Sequence, residues 1–245
     1  MIISRSEHPS WLSNAYLAAE GPGGHGVLID GNGVVEPLLE QIDRDRIEIT
    51  HVLLTHHHLD HVVEIDGLKE RFGVPVVAHP LTAAALAPGL VDQPIEDGGV
   101  VRSGALAFEA IATPGHAKDH LAFLCGGDCF TADVLFKGTV GGTRGPGGDY
   151  GELKHSVMER LLTLPADTRV HPGHCDATTV GAEWEQNPFV CLWRGLEPEG
   201  SEECLVRGEP ATLLLFAPDY DGGHKALVRF ANGELAIVGG SQITR

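Results

Sequence analysis

Four side chains able to hold a metal ion fall within six residues, in the run Thr55-His56-His57-His58-Leu59-Asp60-His61, an H-x-H-x-D-H pattern. Imidazole and carboxylate are donors that suit zinc and the neighbouring borderline ions. A single zinc takes three or four protein ligands, so this run alone can fill one shell, and donors elsewhere imply a second ion. Such donors stand at His116 in Thr113-Pro114-Gly115-His116, at Asp133 in Phe130-Thr131-Ala132-Asp133, and at His174 in Pro172-Gly173-His174. In both Pro-Gly-His turns the proline fixes φ and the glycine permits close approach, which holds the following histidine rigidly.

The elements that must position these donors are legible around them. Asn14 to Ala19 and Gly26 to Asp30 read as a hairpin across the turn at 21–24, and Val34 to Ile42 has helical apolar spacing. Ile49 to Thr55 is a buried strand that delivers the histidine run, and His61 to Phe72 continues as a helix stopping at Gly73. The strand Val74 to Ala78 then completes a βαβ crossover. Strand alternation returns at Val100 to Ile111, Leu121 to Leu124 and Cys129 to Ala132. Glu152 to Leu164 is the clearest amphipathic helix, and Arg169 to His171 is a short strand leading to His174. Each donor thus follows a strand-like run, where scaffolds usually place function.

From Gly195 the character changes: an acidic stretch precedes strand-like runs at 211–217, 224–230 and 234–239, with hairpin turns at 219–223 and 231–233. The expected division is a catalytic domain over 1–194 and a small β-rich appendage over 195–245. Arg207 and His224, in that appendage, are expected to be surface residues without a catalytic part.

A net charge of −17 and the lack of any Lys/Arg cluster longer than a pair argue against a nucleic-acid partner. The longest apolar runs, such as Ala211 to Ala217, are too short to span a bilayer, and the first eleven residues show no apolar signal core with a cleavage site. A soluble cytoplasmic protein acting on a small molecule is expected, without a membrane partner; a homodimer is compatible. Five cysteines, odd in number and without a CxxC pair, indicate neither a disulfide framework nor a zinc ribbon. Cys175 adjoins His174, but a free cysteine is usually a small buried apolar residue.

The histidine run, TPGH at 113–116, FTAD-x-LF at 130–136, PGH at 172–174 and TTVGAEWEQNPF at 178–189, in that order, resemble the metallo-β-lactamase superfamily. Within it they are most similar to the hydroxyacylglutathione hydrolase (glyoxalase II) branch. The resemblance implies an α/β fold, the four-layer αββα sandwich, and two divalent ions: zinc first, with iron or manganese as alternatives. It implies that His56, His58 and His116 hold the first ion, that Asp60, His61 and His174 hold the second, and that Asp133 bridges both. The implied reaction is hydrolysis of a thioester or related acyl compound by a metal-bridging hydroxide, with Asp60 orienting it or accepting its proton. His57 is expected in a structural or supporting role, and His8, His25, His51, His79, His120, His155 and His171 are expected not to bind metal.

Two features depart from that branch. A basic residue usual in a GCGR-like turn after the bridging aspartate is missing or displaced in Val140-Gly141-Gly142-Thr143-Arg144, and a short β-like tail replaces a C-terminal helical domain. Both weaken glutathione recognition and leave the hydrolytic site intact. The Gly-rich stretch at 141–148 is read as a flexible loop over the active site, with Lys137, Arg144 and Tyr150 as anchors for a substrate carboxylate. Ala132 stands where the branch often has glycine. The alternatives are a lactonase using the same ligands, and a persulfide-dioxygenase-like oxidoreductase with one iron held by two histidines and one aspartate.

Overall fold

Period-two alternation sends successive side chains of the first strands to opposite faces, and both faces are covered. The computed structural model describes all 245 residues, Met1 to Arg245. The chain divides into two units: Met1–Ala112 with Asp119–Ala132 and Gly173–Cys175, and Thr113–Lys118 with Asp133–Pro172 and Asp176–Arg245.

The first unit opens with β1 (Ile2–Glu7), β2 (Asn14–Ala19), β3 (His25–Ile29), α1 (Glu36–Asp45) and β4 (Glu48–Leu53). It continues through α2 (Leu59–Val62), α3 (Ile65–Phe72), β5 (Val76–Ala78), α4 (Pro80–Ala85) and β6 (Gln93–Pro94). The six strands form one sheet in chain order, antiparallel from β1 to β3 and parallel from β3 to β6. A second sheet contains β7 (Val100–Ser103), β8 (Leu106–Ala112), β9 (Leu121–Cys125) and β10 (Asp128–Ala132), each antiparallel to the next.

Leu17, Leu28, Val52, Leu54 and Val76 pack against Leu38 and Ile42 of α1 and Leu68 of α3. Their alternating neighbours Tyr16, Val27, Ile29, Leu53 and Val77 meet Phe108, Leu121, Phe123 and Phe130 of the second sheet. This gives a helix layer on a sheet and that sheet on another, which is why β2 is buried along its whole length.

The single helix expected from His61 to Phe72 is broken in two. The Gly31 N–H donates to the His61 carbonyl at 2.7 Å, and the Glu64 N–H donates to the Gly31 carbonyl at 3.1 Å. The helical ladder is therefore interrupted between α2 and α3, and α2 becomes a separate turn that carries Asp60 and His61.

The second unit contains β11 (Leu135–Phe136), β12 (Thr139–Val140), α5 (Tyr150–His155), β13 (Arg169–Pro172), β14 (Thr178–Thr179), α6 (Val180–Gln186) and α7 (Pro188–Trp193). α5 starts at a capping Asp149, whose carboxylate accepts from the Glu152 N–H at 2.8 Å. The expected α-helix does not continue to Leu164, because Ser156–Leu161 widens into a π turn.

The same unit ends in β15 (Glu202–Val206), β16 (Glu209–Pro218), β17 (His224–Phe230), β18 (Leu235–Gly239) and β19 (Ile243–Thr244). They form an antiparallel sheet in the order β18-β17-β16-β15-β19, with Leu213, Val228, Phe230 and Val238 in its own apolar cluster. Both expected turns join its strands. All five cysteines are free, and no helix is long and apolar enough to cross a membrane.

Candidate metal centre

In the first unit, β4 ends on a buried polar anchor. The Thr55 N–H and hydroxyl both donate to Asp30, at 2.9 and 2.8 Å, and the Thr55 carbonyl accepts from the Leu121 N–H at 2.8 Å. His56 and His58 follow with ring nitrogens 3.1 Å apart. His58 has an extended backbone and caps α2, so Asp60 and His61 fall on the succeeding turn. The His174 turn is pinned by its neighbours: the Asn14 N–H donates to the Gly173 carbonyl at 2.7 Å, and the Gly173 N–H donates to the Ala132 carbonyl at 2.8 Å. Arg5 and the Asn14 side chain both donate to the half-buried Cys175. Asp60, His61 and His174 thereby offer donor atoms all within 4.8 Å of one another.

The second unit brings His116 and Asp133 together, with His116 Nε2 3.5 Å from Asp133 Oδ2. The turn before His116 is held from several sides: the Gly115 carbonyl accepts from the Asp149 N–H at 2.8 Å, and the Pro114 carbonyl accepts from the Ser156 hydroxyl at 2.7 Å. A Cβ on Gly141 would lie 2.0 Å from the Asp133 carbonyl oxygen, so only glycine fits beside the aspartate there. Ala132 adopts φ +39°, a left-handed conformation that accounts for a glycine preference at that position.

The spacing of these donors tests whether an ion fits. Zinc–ligand bonds of about 2.0–2.2 Å in a tetrahedron set neighbouring donor atoms roughly 3.4 Å apart. The pairs His61 Nε2–Asp60 Oδ2, His174 Nε2–Asp60 Oδ2 and His116 Nε2–Asp133 Oδ2 are separated by 3.6, 3.5 and 3.5 Å. The tautomers fit as well. His61 Nδ1 donates to Asp30 Oδ2 at 2.8 Å and His116 Nδ1 donates to the Gly142 carbonyl at 2.9 Å, and in each ring this leaves Nε2 as the donor to a metal.

Asp30 is the residue that sequence reasoning missed. It lies at the end of β3 with φ +60° and is 3% exposed. Its only sequence signal is an acidic residue followed by glycine at a strand end. Because it fixes the His61 ring, Asp30→Asn is expected to weaken metal binding about 10- to 100-fold, measured by competition with a chromogenic chelator. An unchanged affinity would refute the role.

His57 turns away to Asp119, with Nδ1 2.9 Å from both carboxylate oxygens, and the Thr82 hydroxyl donates to the same carboxylate at 2.7 Å. Burial would raise the Asp119 pKa, but those hydrogen bonds hold it below the ordinary aspartate value. Of the proposed substrate anchors, Lys137 is exposed. Tyr150 accepts a hydrogen bond from Trp193 Nε1 at 3.0 Å. Arg144 lies 3.2 Å from Glu209 and 3.6 Å from Glu234, with its guanidinium 4.5 Å from the Phe230 ring centre. The stretch at 141–148 is not free: the Thr143 N–H donates to the Ile237 carbonyl, and the Ile237 N–H donates to the Thr143 hydroxyl, both at 2.9 Å.

A family model described as the metallo-beta-lactamase superfamily matches residues 9–174, and the chain belongs to that superfamily and has its αββα sandwich fold. Hydroxyacylglutathione hydrolase GloC of Haemophilus influenzae is 34% identical over 182 residues, covering 66% of this chain and 86% of that protein. An uncharacterized protein of Mycobacterium tuberculosis is 32% identical over 206 residues, covering 72% of this chain and 92% of the other. Among solved structures, ETHE1 from Myxococcus xanthus superposes with a TM-score of 0.71 at 31% identity, covering 78% of this chain and 84% of its own. TTHA1623, solved in a di-iron-bound form, gives 0.64 at 36% identity, covering 76% and 99%.

Proposed function

We propose that this chain is a dinuclear metal-dependent hydrolase of a small acyl compound, with a thioester as the leading class. The observation that carries the reading is the donor spacing of Asp60, His61 and His174, joined by the matching pair His116 and Asp133. In this reading His56, His58 and His116 would hold one ion, Asp60, His61 and His174 would hold the other, and Asp133 would serve both. When bound, two divalent ions would supply a water of lowered pKa and polarisation of the substrate carbonyl.

The chain's own residues do the rest. Asp60 Oδ2 faces His61 and His174, which leaves Oδ1 to orient the attacking water and hold its proton. Asp60 is 26% exposed at its side chain, so it is open to an arriving substrate, whereas His61 is fully buried and held by Asp30. No general acid is required of the protein if the leaving group is a thiolate, since thiols ionise near pH 8.5. The similarity to GloC supports the thioester over the lactone.

Zinc is the first choice of metal, by donor chemistry. Iron is the second, favoured by the relative solved in a di-iron-bound form. The test is metal quantification on protein purified without added metal, coupled to assays with S-lactoylglutathione and acyl-homoserine lactones. Two ions per chain with chelator-sensitive thioester hydrolysis are expected. A single iron with sulfur-dependent oxygen uptake and no ester hydrolysis would sink the reading, and a preference for lactones would reverse the ranking of substrates.

A further inference from the structure

The second unit contains a cleft of about 490 Å³ that joins the metal donor His116 to the C-terminal sheet. Gly142, Arg144, Arg207, Ile237 and Gln242 line it, and the sheet residues among them lie beyond the segment matched by the family. Its size suits a small molecule.

Two arginines line the cleft in different states. Arg144 is neutralised by Glu209 and Glu234 and lies over Phe230, so it serves as wall. The Arg207 side chain is exposed and has neither an ion pair nor a hydrogen bond. Its backbone is unusual as well. Val206 pairs with Glu209 across a two-residue turn in which Arg207 and Gly208 take φ +50° and +87°. Left-handed corners of such turns favour asparagine, aspartate or glycine, so arginine contributes nothing to the turn that asparagine would not contribute better. What the position gains is the guanidinium. The Arg207 N–H donates to the Gln242 carbonyl at 3.0 Å, which sets the turn beside the residue that brings an amide to the same cleft.

We propose that this cleft selects acyl substrates bearing a carboxylate remote from the scissile carbonyl, with Arg207 binding that carboxylate and Gln242 as an uncharged second donor. The proposal rests on the hydrolase reading and adds the substrate class to it. A planar guanidinium matches a carboxylate with two parallel hydrogen bonds. In a chain of net charge −17, an unpaired cation near a metal donor is also a local exception to the field.

The test uses Arg207→Asn, which suits the turn and therefore preserves the fold. Succinyl and pentanoyl thioesters of N-acetylcysteamine are compared on the metal-loaded enzyme. Arg207→Asn is expected to raise KM for the succinyl ester about tenfold or more, as loss of a charged hydrogen bond does, with kcat and the pentanoyl parameters unchanged. Arg207→Lys should recover part of the loss. Succinate and butyrate binding are followed by calorimetry without turnover, and the substitution should weaken succinate alone. Equal effects on both esters, or no effect on succinate, would overturn the proposal. Inactivity on every ester would instead refute the hydrolase reading, while the succinate titration would still decide the cleft.

Discussion

Asp60→Ala is expected to halve the metal content of the purified protein and to lower kcat/KM by about a thousandfold or more while leaving the fold intact. Asp60 Oδ2 is 3.6 Å from His61 Nε2 and 3.5 Å from His174 Nε2, so on the proposed assignment its removal would take one of four protein donors, Asp133 included, from the second ion. Metal charge on a polarised carbonyl is worth several kcal/mol in the transition state, and each 1.36 kcal/mol is tenfold in rate, which gives the size of the loss. The fold should survive because the Asp60 side chain is partly exposed and lies on a short turn, outside both apolar clusters. Metal analysis beside thermal unfolding of the metal-free protein checks both halves. Full metal content with unchanged kinetics would remove Asp60 from the site.

The second large effect concerns a residue without a side chain. A Cβ on Gly115 would lie 2.1 Å from the Leu153 backbone nitrogen and 2.3 Å from its Cα, and Gly115 holds φ +128°. Gly115→Ala therefore combines a backbone clash with a conformation that L side chains rarely adopt. Strain and overpacking each cost of order 1–3 kcal/mol, so a destabilisation of at least about 3 kcal/mol is expected, read as a lower urea midpoint. His116 is the next residue. A displacement of roughly 1 Å at a positioned group can cost about a hundredfold in rate, so activity should fall even in the fraction that folds. Wild-type stability in Gly115→Ala would show that α5 yields easily.

Much of the architecture was legible in the sequence because its signals are local. The apolar run of β4, the Pro-Gly-His turns and the helical spacing of α1 each state their own conformation, and the histidine run carries its chemistry in adjacent residues. What escaped depends on pairing between distant residues. Asp30 supports His61 from 31 positions away, and Asp119 receives His57 from 62 away. Neither acidic residue looks different in sequence from the others on the surface. The break between α2 and α3 escaped for the same reason, since it depends on the Gly31 backbone inserting its own hydrogen bonds. The stretch at 141–148 looked mobile from its glycines, yet partners in β18, more than ninety residues on, hold it. Arg207 looked like one more charged turn residue, and only its positive φ and its place on the cleft set it apart.

The bonds from this stretch to the C-terminal strands also set an order of events in folding. The Gly142 carbonyl that fixes the His116 tautomer is followed by Thr143, which exchanges two bonds with Ile237, and lies two residues after Val140, whose carbonyl accepts from Lys225 Nζ at 2.9 Å. These contacts close loops of 85 and 94 residues, the kind that form late because chain entropy opposes them until much of the structure is in place. During synthesis, the final support of the His116 ring is expected to set only after β17 and β18 have emerged. On the proposed assignment, metal capture at His116 is therefore expected as a closing step of maturation rather than a nucleus for it.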